Sequence, residues 1–352
     1  MSRISLSLSL LLLAVLFSGF ASADIGFRQL RLNESSSRPL EVTLWYPTRD
    51  DGRPQQVGEN IAFNGIPALL NAQPTAPAHP LLLVSHGYGG NWRNLSWLAS
   101  SMAAQGYIVA AVDHPGTTTR NKEPKAAQQL WQRPRDLTQL LDYLLRSPAL
   151  AGTVDAQRIA AVGHSLGGWT VMELAGARFS TARFLQDCQT HAALGGCRLT
   201  SVLGIDKSQA DAPLAADLHD ERIKAVISLD LGLARGFTPQ SLARIGLPVL
   251  VMSAQADSDD VSARLESGYL FAGLPDGAKK HLSVTGATHF SFMQTCKPGA
   301  EALIEAEDPG EGIVCRDGGS LSRTEIHRHL LRDIIPFLAE ALDYPPQPGG
   351  NP

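Results

Sequence analysis

Ile159-Ala160-Ala161-Val162-Gly163-His164-Ser165-Leu166-Gly167-Gly168 is the stretch on which the fold turns. Residues 159–162 are an unbroken apolar run, as in a strand buried on both faces. A Gly-x-Ser-x-Gly follows directly, and residues 166–175 then read as a helix. A serine between strand and helix sits on a strained turn whose neighbours must be small, and Gly163, Gly167 and Gly168 meet that need. The turn lifts the hydroxyl above the sheet, beside the positive end of the following helix. Ser165 is therefore the candidate nucleophile. The competing reading is a serine in an ordinary glycine-rich connection.

Outward from this turn the chain alternates strand and helix. Residues 80–85, 108–112, 225–229, 249–253 and 281–284 are strand candidates, and 95–105, 134–146 and 325–342 are helix candidates. In the helix at 134–146, Leu137, Leu140, Leu141, Leu144 and Leu145 share one face. The alternation predicts an α/β fold, a mostly parallel sheet with helices on both faces. Residues 27–32 and 40–46 precede it as a hairpin. Residues 50–80, rich in Pro, Gly and Asn, read mostly as loop. Segments 178–221 and 297–323 break the rhythm. They read as insertions at the site's rim, because loops at the carboxyl ends of parallel strands host ligands.

The chain has 352 residues, 44% hydrophobic and 18% charged, enough for a large core. A net charge of −4, without a basic run, gives no reason to expect nucleic acid or an anionic membrane as partner. Arg3, an apolar run from Leu6 to Phe17 and then Ala21-Ser22-Ala23 predict a signal peptide over 1–23. The mature chain then starts at Asp24, secreted or periplasmic. The apolar run is short for a membrane span, so no stable insertion is expected after cleavage. Residues 24–343 are expected to form one domain with its two insertions, and 344–352 a disordered tail. Four cysteines in an exported chain predict two disulfides. Of three pairings, the local one, Cys188 with Cys197 and Cys296 with Cys315, is preferred. No Cys-x-x-Cys suggests zinc.

Three further elements complete a serine-based site. Ser85-His86-Gly87-Tyr88-Gly89-Gly90 follows the first buried strand. Its Tyr88 N–H and the N–H of Leu166 are the candidate oxyanion donors, needed because acyl transfer develops a negative oxygen. His86 reads as a brace for this loop. The base is expected late in the chain, since the order here is Ser, acid, His. His289, in a loop after a strand, is preferred over His281, which looks solvated, and over His327 and His329, which look like charged-face helix residues. For the acid, Asp257 is preferred and Asp230 is the alternative. Each follows a strand end in the right interval.

These residues resemble a known family. The loop 85–90, Gly106-Tyr107-Ile108-Val109-Ala110-Ala111-Val112-Asp113-His114, Trp45-Tyr46-Pro47, 163–168 and 225–231 are similar to platelet-activating-factor acetylhydrolases and to dienelactone hydrolase-like proteins, both of the α/β-hydrolase superfamily. Ser253-Ala254-Gln255-Ala256-Asp257 resembles the acid-bearing strand end of bacterial polyester hydrolases and lipases, whereas Leu229-Asp230 resembles the acetylhydrolases. The resemblance implies an α/β-hydrolase fold and hydrolysis of small-molecule or lipid carboxylic esters by a serine esterase, without metal or cofactor. It leaves an acetylhydrolase-type phospholipase or a polyester hydrolase as alternatives. Dienelactone hydrolases themselves use cysteine where this chain has Ser165. A hydrolase fold can also serve a non-catalytic binding protein. The oligomeric state is left open.

Overall fold

The computed structural model describes residues 24–256 and 261–346; the expected signal segment, Asp257 and residues 347–352 lie outside them. Among the described residues a ten-stranded sheet has the order β10-β9-β8-β7-β5-β6-β2-β1-β4-β3. The strands are β1 (Asp24–Leu32), β2 (Leu40–Thr48), β3 (Gln55–Val57), β4 (Ile66–Leu70), β5 (Ala78–Ser85), β6 (Ile108–Asp113), β7 (Thr153–His164), β8 (Ala225–Leu229), β9 (Val249–Ala254) and β10 (Lys279–Val284). From β10 across to β6 the neighbours are parallel. β2 pairs antiparallel with β6 and with β1.

The apolar runs follow from burial on both faces. Leu81 and Leu83 of β5 and Ile159 and Ala161 of β7 enter one core layer, while Leu82, Val84, Ala160 and Val162 enter the other. The first layer is closed by α3 (Gln132–Leu145) and α4 (Leu166–Leu174), the second by α1 (Ser96–Ala104) and α11 (Arg323–Ala341). Shorter helices fill the connections: α2 (Pro124–Ala127), α5 (Thr181–Thr190), α6 (Gly195–Arg198), α7 (Asp211–Ala215), α8 (Pro239–Leu242), α9 (Ser267–Gly273) and α10 (Ala300–Glu307). Ser322 and Glu325 form a capping box that starts α11.

Several expectations need correction. Segment 50–80 is not mostly loop at its centre, because β3 and β4 pair there and β4 adds to β1. β7 starts at Thr153, earlier than its apolar core suggested, since its polar first half still pairs with Ala78 and His79. The tail is ordered at its start: the Tyr344 ring meets Tyr107 edge-on, 5.4 Å between centroids. Segment 178–221 contains α5, α6 and α7, and 297–323 contains α10. The disulfides join Cys188 to Cys197 and Cys296 to Cys315.

Parallel strands place their carboxyl ends along one edge. In register, Ser85 faces Gly163 and His164 faces Leu229, so the ends of β5, β7 and β8 lie side by side. Three loops start there: the one with Tyr88, the one with Ser165 and the one with Asp230.

Candidate active site

Ser165 sits between β7 and α4 with φ 57° and ψ −120°. A non-glycine residue rarely holds such a backbone, and strain of this kind concentrates at functional sites. Close packing holds the turn. A Cβ on Gly163 would lie 2.0 Å from Gly167 O, and one on Gly167 would lie 2.0 Å from Ser85 O. The Ser165 N–H donates to Leu229 O (3.0 Å), which ties the turn to β8.

The Ser165 Oγ is 3.0 Å from His289 Nε2, and His289 Nδ1 is 2.7 Å from Asp230 Oδ2. Asp230 follows β8 directly and also has positive φ, 44°. Its Oδ1 accepts the Ala254 N–H (2.9 Å), so both carboxylate oxygens are engaged. With Nδ1–H donated to Asp230, Nε2 is free to accept from the serine hydroxyl. His289 and Asp230 are buried. The carboxylate on His289 is thus the one placed second by sequence. Asp257, placed first, lies outside the described residues.

Tyr88 and Leu166 line the same opening as Ser165. Among the described residues no backbone carbonyl accepts from the N–H of either, which leaves both available to an oxygen that develops charge beside Ser165.

A family model described as PETase, PET hydrolase-like, matches residues 72–184. The chain is 35% identical over 99 residues to a cutinase of Thermobifida alba, covering 28% of this chain and 30% of the relative. It is 26% identical over 212 residues to a bis(hydroxyethyl) terephthalate hydrolase of Streptomyces coelicolor, covering 60% of this chain and 50% of the relative. The chain therefore spans half or less of the length of these two relatives. A ferulic acid esterase structure from Streptomyces cinnamoneus superposes with a TM-score of 0.64 at 21% identity, covering 94% of this chain and 93% of that one. This is an α/β-hydrolase fold. The matches together fit a family of α/β-hydrolase esterases.

In this fold the opening beside Ser165 is a cleft of about 280 Å³. Its apolar lining comes from Tyr88, Leu166, Leu199, Leu203, Leu233 and Phe290. Gly195, Gly196 and Arg198 of α6 border it from one insertion, and Glu311 borders it from the other. Among the described residues no cluster of three His, Cys, Asp or Glu side chains could hold a metal ion.

The other histidines separate cleanly. His281 is exposed and bonds Ser253 Oγ (3.0 Å), and His329 is exposed. His327 departs from expectation: it is buried, stacked on Trp97 at 3.8 Å, with Nε2 3.0 Å from Ser291 O. His86 braces its loop, with Nδ1 2.7 Å from Gly87 O and Nε2 accepting the His114 N–H (3.0 Å). His164, unassigned from sequence, donates Nε2–H to the His289 carbonyl (2.8 Å). Burial and the neighbouring His289 hold its pKa well below the usual value, so it serves as a neutral support. Only its place before Ser165 could have drawn attention to it.

Proposed function

We propose that this chain is a serine esterase acting on carboxylic esters through Ser165, His289 and Asp230. The observation that carries the reading is the continuous chain from Ser165 Oγ to His289 Nε2 (3.0 Å) and from His289 Nδ1 to Asp230 Oδ2 (2.7 Å), set on the strained turn. Ser165 Oγ attacks the ester carbonyl while His289 Nε2 takes its proton. Asp230 fixes the tautomer and stabilises the imidazolium. The Tyr88 and Leu166 N–H groups hold the oxyanion. As the tetrahedral intermediate collapses, His289 returns the proton to the leaving alcohol, and an acyl-enzyme remains. Water, deprotonated by the same His289, then releases the acid.

A polyester hydrolase is the second reading. It is favoured by the match over 72–184 to the PET hydrolase-like family and by the names of the terephthalate hydrolase and cutinase relatives. Against an open polymer groove stands α6, which borders the cleft. The compartment we propose is extracytoplasmic, since the leader-like first 23 residues and two disulfides fit export.

The test compares the mature chain with Ser165→Ala on p-nitrophenyl esters of increasing acyl length, on bis(hydroxyethyl) terephthalate and on polyester film. Labelling by a fluorophosphonate is read alongside. Labelling at Ser165, with a loss of about 10⁶-fold in Ser165→Ala, supports the esterase. A folded wild type that is neither labelled nor active would leave the non-catalytic binding protein. Film hydrolysis comparable to that of small esters would shift the reading to the polymer.

A further inference from the structure

Beneath the loop that carries Tyr88 lies a buried polar cluster that the triad does not use. Arg133, on the first turn of α3, is 1% exposed. Its guanidinium donates to Thr170 Oγ1 on α4 (2.9 Å), to Thr117 Oγ1 (2.6 Å), to Ser85 Oγ (3.2 Å) and, by a short contact, to the His86 carbonyl. All four acceptors are neutral. Among the described residues no carboxylate forms a salt bridge with it. Asp136 is the near acid, but Arg38 holds both its oxygens (2.8 and 2.7 Å), and His114 Nδ1 bonds one of them (2.9 Å). The charges of Arg38 and Asp136 cancel. Burial keeps His86 and His114 neutral. One positive charge is left in the interior.

That charge is unfavourable on three counts: it is desolvated, its near carboxylate Asp136 is shared with Arg38 and does not touch it, and it sits at the positive end of a helix. Packing alone would be met by a long apolar side chain.

The geometry points to the oxyanion loop. The Gly87 carbonyl and the Tyr88 N–H belong to one planar trans peptide, so fixing the carbonyl aims the N–H the opposite way. His86 Nδ1–H (2.7 Å) and the Gly90 N–H (3.1 Å) fix that carbonyl. Arg133 holds the preceding carbonyl, that of His86, and reaches across to Thr170 on the helix that begins at Ser165. It is the side chain that joins the loop of one oxyanion donor to the helix of the other.

We propose that Arg133 is a positioning residue for ester hydrolysis at Ser165: it locks the loop 86–88 to α4 and sets an uncompensated positive charge behind the oxyanion donors. The inference rests on the esterase reading, with Tyr88 and Leu166 as those donors. A neutral ester gains little from the charge, whereas the tetrahedral oxyanion gains more. The effect therefore falls on kcat rather than KM.

The test measures kcat and KM on p-nitrophenyl butyrate for wild type, Arg133→Met and Arg133→Lys, per site titrated with a fluorophosphonate. The inhibition constant of phenylboronic acid, whose serine adduct is tetrahedral and anionic, is measured on the same samples. Arg133→Met is expected to lose about tenfold in kcat with KM within about twofold, and to bind the boronate about tenfold more weakly. Arg133→Lys should recover part of both losses. If Arg133→Met melts earlier yet keeps kcat per titrated site and boronate affinity within about twofold, Arg133 is merely structural and the proposal fails. Should Arg133→Met not fold, Thr117→Val loosens the same guanidinium while keeping its charge. It should lower kcat and boronate affinity about threefold, and unchanged values overturn the proposal. A wild type without esterase activity removes the esterase reading itself, whereas an active wild type with an indifferent Arg133→Met removes only this inference.

Discussion

Two segments, each closed by a disulfide, border the cleft, and they meet it in different ways. The first brings α6 to the opening, where Gly195, Gly196, Arg198, Leu199 and Leu203 form a wall that substrate would touch. Arg235 anchors it from below, paired with Asp187 of α5 and with Glu266 (2.7 Å to the latter). The second stands behind His289. Thr288 Oγ1 donates to Arg316 O (2.9 Å), Ser291 Oγ bonds Asp317, and Arg323 gathers Asp317 (3.1 Å) and Val314 O (2.7 Å). On the proposed esterase reading the first segment shapes what enters, and the second, apart from Glu311 at the rim, holds His289. Loss of fit changes binding, whereas loss of orientation changes only the reacting geometry, so the two should separate in KM and kcat.

The largest effect sets the scale for the second region. Asp230→Asn removes the acceptor that fixes the His289 tautomer. It should lower kcat by about 10³–10⁴-fold, with a far smaller change in KM. Asp257→Asn should stay within about twofold, because Asp230 already holds His289 Nδ1. Both are read on one p-nitrophenyl ester. A crippled Asp257→Asn beside a healthy Asp230→Asn would reverse the assignment. The second insertion would then be buttressing a histidine turned towards another partner.

That assignment shows where sequence reasoning ran out. The turn at Ser165 was legible because strand, glycines and helix are contiguous. The choice between Asp230 and Asp257 depends on which strand lies beside β7. The pairing of His164 with Leu229 puts β8 there, and β9 one place further out. No local pattern carries that order. His327 was legible but misread. Charged neighbours suggested solvent, yet Arg323, Leu330, Leu331 and Ile334 lie at helical spacings from it and are all buried with it. Arg133 had no signal, since a cation on the first turn of an amphipathic helix normally faces water. β4 was hidden by its Pro- and Asn-rich surroundings. It forms because β1 offers an edge, a tertiary opportunity.

His327 offers a smaller test of the same buttress, through pH. Burial pulls its pKa down to about 3 in the folded chain, against about 6.5 when unfolded. Between those values the unfolded chain binds the extra proton. The stability from neutral His327 is therefore whole above about pH 6.5 and is lost progressively as pH falls toward 3. His327→Gln keeps a donor for Ser291 O but cannot titrate. Its unfolding free energy, from urea melts between pH 6 and 4, should depend on pH less steeply than wild type by about 1.4 kcal/mol per pH unit. Parallel slopes would mean that His327 is protonated in place, and that the turn behind His289 is looser than its stacking on Trp97 implies.

The smallest effects are expected from the disulfides, and they bear on the comparison most directly. The clips close sequence separations of 9 and 19 residues, a doubling that loop entropy values at only about 0.6 kcal/mol. Unequal kinetic effects would therefore come from what each clip holds. Cys188→Ser/Cys197→Ser frees α6, so KM for a bulky acyl ester should change by about fivefold while kcat moves less than about twofold. Cys296→Ser/Cys315→Ser loosens the segment that Thr288 and Ser291 lean on, so kcat should fall by about fivefold with KM nearly constant. Steady-state kinetics on a short and a bulky p-nitrophenyl ester measure both. If the two double variants shift KM and kcat alike, the insertions act as one rim, and the division between wall and buttress is wrong. If the first variant moves KM only for the bulky ester, α6 limits acyl size, because a short acyl group never reaches the wall that the first disulfide holds in place.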